Sequence, residues 1–388
     1  MANVLHVVNV DFVIPYFFGN QLNYMRNKGH NIFIVCSPSE RLKTLSLKYG
    51  FSYKEIKILR QFSIITDFFS LIRICIFIRK HNIKIINGHT PKAGLLAMCA
   101  GFLMNVPQRI YFRHGLLYET ADGLKRKIFI YSERVASMLS TKVICVSPYL
   151  IERSIKDKLS SSKKMFLLNK GSCNGVDVAN QFNPLNVSFE NKMNLKSRYM
   201  LPMNSWVIGY TGRLVKDKGI VELVEAFELL CCKYSDIYLL LVGPEEERDC
   251  LPEKTKLSIA QNSRIVLTGL INNNIEYYYS IMDVLVLATH REGFGTSILE
   301  ASAMKIPVIT TNYTGSRDAI IDGVTGLYTT GNAMSIAEKV EKLYCDKKYA
   351  VKLGEQGRKF VQDNFDQYLV WREIEKLYEQ EVCKCNLK

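Results

Sequence analysis

No Asp-x-Asp triplet occurs in the 388 residues, so the usual carboxylate clamp for a divalent metal carrying a nucleotide diphosphate is missing. There is no Gly-x-x-x-x-Gly-Lys-Ser/Thr loop and no Gly-x-Gly-x-x-Gly after the first strand-like run. These absences disfavour a nucleoside triphosphatase and a dinucleotide oxidoreductase. A serine-centred nucleophile elbow is also missing, which disfavours an esterase. The eleven cysteines show no repeated pair with metal-site spacing: Cys231 and Cys232 are adjacent, and Cys383 and Cys385 sit near the end. Others lie in apolar runs such as Val143–Val146, and they read as small core residues of a reducing compartment. Met1–Val8 enters a strand-like run without a basic leader or cleavage site, so no secretion signal is expected. The apolar run Phe62–Ile78 is too short for a membrane span; Asp67 and Arg73 interrupt it, and Arg79 and Lys80 close it. Two readings stay open for it: a buried or half-buried helix, or a helix in the bilayer interface with its basic residues toward the headgroups.

What is present is an ordinary globular mixture, 48% hydrophobic and 23% charged, which excludes a fibrous chain. With 19 Phe, 21 Tyr and 12 Met there is too much apolar mass for a disordered arm. The charge is lopsided. Residues 1–190 hold 26 Lys and Arg against 11 Asp and Glu, so the first half carries essentially all of the net +14. Such a field suits nucleic acid, a phosphorylated ligand or an acidic membrane surface; the plain alternative is a basic solvated surface.

Short unbroken apolar runs recur at Val4–Val8, Ile32–Cys36, Ile83–Ile86, Arg109–Phe112, Val143–Val146 and Phe166–Leu168, separated by helix-length intervals. This is the pattern of a parallel sheet covered on both faces. A second series follows at Trp206–Tyr210, Tyr238–Val242, Arg264–Thr268, Val284–Ala288 and Val308–Thr311, with a helical pattern over Ile220–Cys232. The expected fold is therefore α/β, with two Rossmann-like domains whose parallel sheets face a cleft. The expected divisions are 1–180, a polar linker at 181–204 containing Pro184 and Pro202, 205–365, and a last helix within 366–388 that packs back on the first domain. Ligands of such sheets bind at the carboxyl ends of the strands.

The strongest chemical signal follows Trp206–Tyr210: Gly212-Arg213-Leu214-Val215-Lys216-Asp217-Lys218-Gly219. Its glycines permit close backbone approach, while Arg213 and Lys218 offer a forked donor and a point charge to a diphosphate. After Val284–Ala288 comes Glu292-Gly293-Phe294-Gly295-Thr296, then Glu300. A helix beginning near Thr296 would turn free N–H groups toward an anion. Glu292 is placed for sugar hydroxyls, and Glu300, amid Ile298, Leu299, Ala301 and Ala303, for ribose hydroxyls. In the first half, His89-Thr90-Pro91-Lys92 and Arg113-His114-Gly115 fall at strand ends. His114 is a candidate to donate to a sugar hydroxyl or to stabilise a transferring group, and Lys92 and Arg113 are candidates to neutralise an acceptor phosphate. For His89, a structural role and an acceptor-binding role both remain open.

Those motifs, with Lys305-Ile306-Pro307-Val308-Ile309, Gly315 and Asp322-Gly323-Val324-Thr325-Gly326-Leu327 in the same order, resemble the retaining, nucleotide-sugar-dependent glycosyltransferases of family 4. These have the two-Rossmann-domain GT-B fold, and the resemblance covers nearly the whole chain. It implies that Arg213 and Lys218 hold the donor diphosphate, Glu300 the nucleotide ribose and Glu292 the donor sugar. Phe294, Gly295 and Thr296 resemble the backbone segment meeting sugar and phosphate, and Val266–Leu270 the region framing the nucleobase. His114 resembles the histidine lining the reaction centre. Gly19, in Phe18-Gly19-Asn20, stands where the family has two adjacent glycines facing the acceptor, and Arg291 where a small polar residue is typical.

The resemblance implies transfer of a glycosyl group from a nucleoside diphosphate sugar, by family frequency a UDP-sugar, with no cofactor and no essential metal. The acceptor would be a polyprenyl-diphosphate-linked glycan at the anionic inner face of the bacterial cytoplasmic membrane, in capsule or O-antigen synthesis. Other readings are an epimerase or phosphorylase on the same scaffold and a noncatalytic nucleic-acid-binding protein; the last gives no reason for the two-carboxylate site.

Overall fold

The computed structural model describes every residue except 60, 62, 247, 248 and 386–388, and the side chains up to residue 379. Phe62, the expected start of the apolar run, lies outside the described residues, as do the side chains of Cys383 and Cys385. The chain forms two compact units, Met1–Gly175 with Gln367–Lys388, and Val176–Asp366. The polar stretch 181–204 belongs to the second unit, where it carries the helix Phe189–Arg198.

The first unit is built on seven strands: β1 Asn3–Val7, β2 Asn31–Cys36, β3 Ser52–Glu55, β4 Ile85–His89, β5 Gln108–Arg113, β6 Lys142–Cys145 and β7 Met165–Leu167. They lie in the order β3-β2-β1-β4-β5-β6-β7, and every pairing is parallel. The reversal of order between β1 and β4 makes their carboxyl ends the switch point where α/β sheets receive ligands. Central strands are buried almost throughout, as unbroken Val/Ile/Leu runs require when helices cover both faces. β3 is different: Ser52-Tyr53-Lys54-Glu55 is exposed along its length, so it has no apolar run, and its charges suit an unpaired sheet edge.

The last helix, Gln367–Cys385, is part of this unit. It buries Val370, Trp371, Ile374 and Tyr378 in one cluster with Val4, Leu22 and Ile34; burial of an aliphatic side chain such as Ile374 contributes about 1.5–3 kcal/mol. Trp371 Nε1 donates to Asn174 Oδ1 at 2.9 Å, and Tyr24 Oη donates to Glu375 Oε2 at 2.6 Å.

The second unit has six parallel strands: β8 Trp206–Thr211, β9 Ile237–Val242, β10 Ile265–Gly269, β11 Val284–Leu287, β12 Val308–Thr311 and β13 Leu327–Thr329. Their order is β10-β9-β8-β11-β12-β13, again with a switch point, between β8 and β11. Together these are the two parallel-sheet α/β domains expected from the sequence.

Candidate active site

In the second unit the predicted residues gather just beyond the carboxyl ends of β8, β11 and β12. The segment after β8 turns at Gly219, whose backbone is left-handed (φ +72°) as it starts the helix Ile220–Cys231. A Cβ there would lie 2.0 Å from the Ala288 carbonyl oxygen, so only glycine lets this turn seat against the end of β11. Lys218 is thereby held against the next loop: its Nζ is 2.7 Å from Glu292 Oε2 and donates to the Arg291 carbonyl at 3.2 Å. Arg213 extends from the same segment to Glu246, Nη1 to Oε2, at 2.5 Å. The backbone of that loop is pinned where Tyr210 Oη donates to the Arg213 carbonyl at 2.8 Å.

After β11 the chain passes through Glu292 to Gly295, left-handed at φ +83°, which precedes the helix Thr296–Ala303. Phe294 is buried, its ring 5.3 Å from Phe365. That anchor leaves Gly295 and the exposed Thr296 as the helix start, where unpaired N–H groups favour an anion. Glu300, one turn on, accepts from Tyr279 Oη at 2.6 Å, and that hydroxyl lies 2.9 Å from Thr211 Oγ1 at the end of β8. Burial pushes the Glu300 carboxyl up to about 7 although the Tyr279 donation favours its charged form. The site thus combines two cations, each beside a carboxylate, with a helix start and a carboxylate poised between its two protonation states. Val266 is part-buried in β10 and Leu270, just past it, is exposed, so this strand end offers apolar surface beside the charged loops.

Arg291, atypical in the sequence pattern, has a partner: its Nη2 is 2.5 Å from Asp217 Oδ2, on the Gly212–Gly219 segment. Tyr279, Thr211 and Glu246 were not singled out from the sequence. No sequence pattern marks them, because partners of this kind are set by tertiary contact.

In the first unit, Gly19 sits between the helices Val13–Phe17 and Gln21–Asn27 in the left-handed region, φ +46°. His114 follows β5, and its ring stacks on Phe17 with centroids 3.7 Å apart and planes 3° from parallel. Three expectations need correction here. Arg113 is the last residue of β5 and is fully buried. Its Nε donates to Glu133 Oε2 at 2.9 Å, Nη1 to Ser154 Oγ at 2.8 Å and Nη2 to Ser137 Oγ at 2.6 Å. That guanidinium is a core cross-link and does not meet an acceptor phosphate. Lys92 is also buried; its Nζ is 2.7 Å from Asp67 Oδ1 and donates to the Gln61 carbonyl, tying the helix Pro91–Leu103 to the helix Ile64–Lys80. His89 ends β4 and is 1% exposed, so of its two readings the structural role holds and it does not meet an acceptor directly. Its Nδ1 lies 3.1 Å from His114 Nε2.

The helix Ile64–Lys80 is half-buried: Ile74, Phe77 and Ile78 face the core, while Ile64, Ile65, Phe68, Phe69 and Ile76 are exposed. No helix among the described residues is long and apolar enough to cross a membrane.

Comparison with known proteins places these sites in context. A family model described as glycosyl transferases group 1 matches residues 191–360, and one described as glycosyl transferase 4-like matches residues 3–147. The chain is 35% identical to the capsular polysaccharide biosynthesis glycosyltransferase CapM of Staphylococcus aureus, over 97% of this chain and 96% of that one. It is 27% identical, over 76% and 75% of the two chains, to an Escherichia coli UDP-Gal:alpha-D-GlcNAc-diphosphoundecaprenol alpha-1,3-galactosyltransferase. Among solved structures, HepE of Anabaena in complex with UDP and glucose superposes with a TM-score of 0.81 at 18% identity, covering 98% and 100% of the chains. At that identity the likeness speaks for the fold.

Proposed function

The chain belongs to the group 1 glycosyl transferases, as a GT-B enzyme of the branch that builds bacterial surface polysaccharides, and from that premise we propose which sugar-transfer reaction it performs and with which residues. The donor is a nucleoside diphosphate sugar, a UDP-sugar by preference; the acceptor is a glycan carried on a polyprenyl diphosphate; the anomeric configuration is retained. The E. coli relative, which uses UDP-galactose and a diphosphoundecaprenol-linked acceptor, supports the donor and acceptor classes.

One observation carries the assignment: at the switch point of the second sheet Lys218 lies against Glu292, in the loop that leads into the helix Thr296–Ala303, and Arg213 stands on the same Gly212–Gly219 segment. When the C1–O bond to the diphosphate breaks, negative charge grows on the departing phosphate. Arg213, Lys218 and the Gly295–Thr296 N–H groups would stabilise that charge, the interaction that lowers a barrier when it strengthens in the transition state. In the free protein both cations rest on carboxylates, Glu246 and Glu292, which the diphosphate replaces as counter-charge. Glu292, released from Lys218, then accepts from the sugar hydroxyls, and Glu300 from the ribose hydroxyls. The new C1–O bond forms on the face the diphosphate leaves, and the departing phosphate oxygen takes the acceptor's proton. His114 orients and polarises the sugar. No metal enters this account, since the basic groups supply the charge.

The exposed residues of the helix Ile64–Lys80 support a second part of the proposal. Ile64, Ile65, Phe68, Phe69 and Ile76 form an apolar stripe in the strongly basic half of the chain, a combination suited to an anionic bilayer surface. Docking there, on the cytoplasmic face, would bring the enzyme to a lipid-linked acceptor.

A panel of nucleotide sugars assayed with purified lipid-linked acceptors, followed by anomeric analysis of the product, tests the reaction. Transfer with retained configuration is expected. An inverted product would overturn the mechanism, and sugar epimerised without transfer would overturn the function.

A further inference from the structure

Three imidazoles run in line through the first unit. His6 Nδ1 is 3.2 Å from His89 Nε2, and His89 Nδ1 is 3.1 Å from His114 Nε2. His6 and His89 are 2% and 1% exposed, and His114, at the outer end of the row, is partly exposed. We propose that His6 and His89 are positioning residues that lock His114 in the tautomer protonated on Nδ1, so that it presents an N–H donor to the transferring sugar. This rests on the sugar-transfer reading above.

The tautomers follow from one amide at the inner end of the chain. A neutral imidazole has one donor and one acceptor nitrogen, so fixing one role in the row fixes all of them. Asn87 Nδ2 lies 3.4 Å from His6 Nε2 and donates to Tyr378 Oη at 2.6 Å, while Asn87 Oδ1 is buried without a partner among the described residues. Turning the amide over would put its two N–H groups in that partnerless place. Stranding buried donors costs more than leaving one carbonyl oxygen short. Asn87 therefore donates to His6, which makes His6 Nε2 an acceptor and puts its proton on Nδ1. That N–H donates to His89 Nε2, and His89 Nδ1–H donates to His114 Nε2. Nδ1 of His114, the ring nitrogen outside the row, is left carrying the proton.

Two further features keep the row in this state. Burial pushes the His6 and His114 imidazoles down to about 3 and His89 well below its ordinary value, so none of the three is charged near neutral pH. Aromatic rings hold the imidazole planes: Phe17 stacks on His114, Phe112 stacks on His89 at 4.5 Å, and Phe18 meets His89 edge-on at 4.6 Å. A donor at His114 fits a group that binds a hydroxyl oxygen and leaves removal of the acceptor's proton to the departing phosphate.

The test uses the full chain with ¹⁵N-labelled histidine, whose ring-nitrogen spectra separate the two neutral tautomers. The wild type is expected to show Nδ1–H at His6, His89 and His114. His89→Gln keeps an acceptor for His6 and a donor for His114, so His114 should stay in the Nδ1–H form. His89→Phe keeps the shape and removes both roles, so His114 should become a tautomer mixture. In transfer assays His89→Phe should lower kcat on the order of tenfold with donor KM little changed, and His89→Gln should retain most of the rate. Nε2–H at His114 in the wild type, or Nδ1–H persisting in His89→Phe, would overturn the proposal. The spectra need no substrate. If they are as expected and no donor supports transfer, it is the transfer reading that falls.

Discussion

Replacing Glu300 by Gln should stabilise the free protein and disable it, and the two effects should separate with pH. Burial raises the Glu300 carboxyl from an ordinary 4.5 to about 7 in the folded chain. Below pH 4.5 the group is neutral whether folded or unfolded and costs nothing. Between 4.5 and 7 the unfolded chain releases a proton that the folded chain keeps, so stability falls as pH rises, and above 7 the cost is constant. At about 1.4 kcal/mol per pH unit this comes to about 3 kcal/mol, an upper figure for a side chain that solvent partly reaches. Glutamine keeps an acceptor for Tyr279 Oη, which now donates to Glu300 at 2.6 Å, and it has no charge to desolvate. Paired calorimetric melts of the wild type and Glu300→Gln at pH 4.5 and pH 8 would read the effect. The variant should gain little at pH 4.5 and about 1–3 kcal/mol at pH 8. UDP affinity should rise with pH through 7 in the wild type, as the ionised carboxylate becomes the acceptor for ribose, and should be weak and flat in the variant. A variant whose advantage is the same at both pH values, or one that binds UDP normally, would refute the reasoning.

Because the basic groups supply the charge on the diphosphate, chelation of divalent ions should leave transfer unchanged; strict dependence on a divalent ion would contradict that assignment. The wild type should sediment with anionic vesicles more than with neutral ones, and Phe68→Ser with Phe69→Ser should weaken this by at least about a hundredfold, two aromatic side chains contributing about 1.5–3 kcal/mol each. Equal weak partitioning by all forms would remove the membrane proposal. Arg113→Met leaves Glu133 buried without its cation and should cost about 3–5 kcal/mol in urea unfolding, with part of the loss recovered when Glu133→Gln is added. A loss under about 1 kcal/mol would show that Arg113 is not the cross-link described.

Much of this architecture could be read from the residues because buried parallel strands are written as unbroken apolar runs: all eleven runs picked out from the sequence are strands. The two strands that escaped were the exposed edge β3 and the three-residue β13, which have little apolar pattern to show. Glycine-bounded loops were equally legible, since Gly219 and Gly295 occupy backbone that other residues resist. Charged residues at strand ends were not. Arg113 and Lys92 lie where a ligand-binding cation would lie in the sequence, yet each points into the protein toward a carboxylate 20 or more positions away, Glu133 and Asp67. The histidine row was invisible for the same reason: His6, His89 and His114 come from three strand ends that only the sheet order brings side by side.

The central claim is that Arg213 and Lys218 grip the diphosphate of the donor. Calorimetric titration of UDP, GDP and ADP, each against its parent nucleoside, into the wild type and an Arg213→Met, Lys218→Met double variant tests it most directly. The account predicts one diphosphate binding at least about tenfold tighter than its nucleoside, since a charge-assisted hydrogen bond contributes about 1.5–3 kcal/mol, with that advantage lost in the variant. Diphosphate and nucleoside binding alike in the wild type, or an advantage that survives the double substitution, would contradict it.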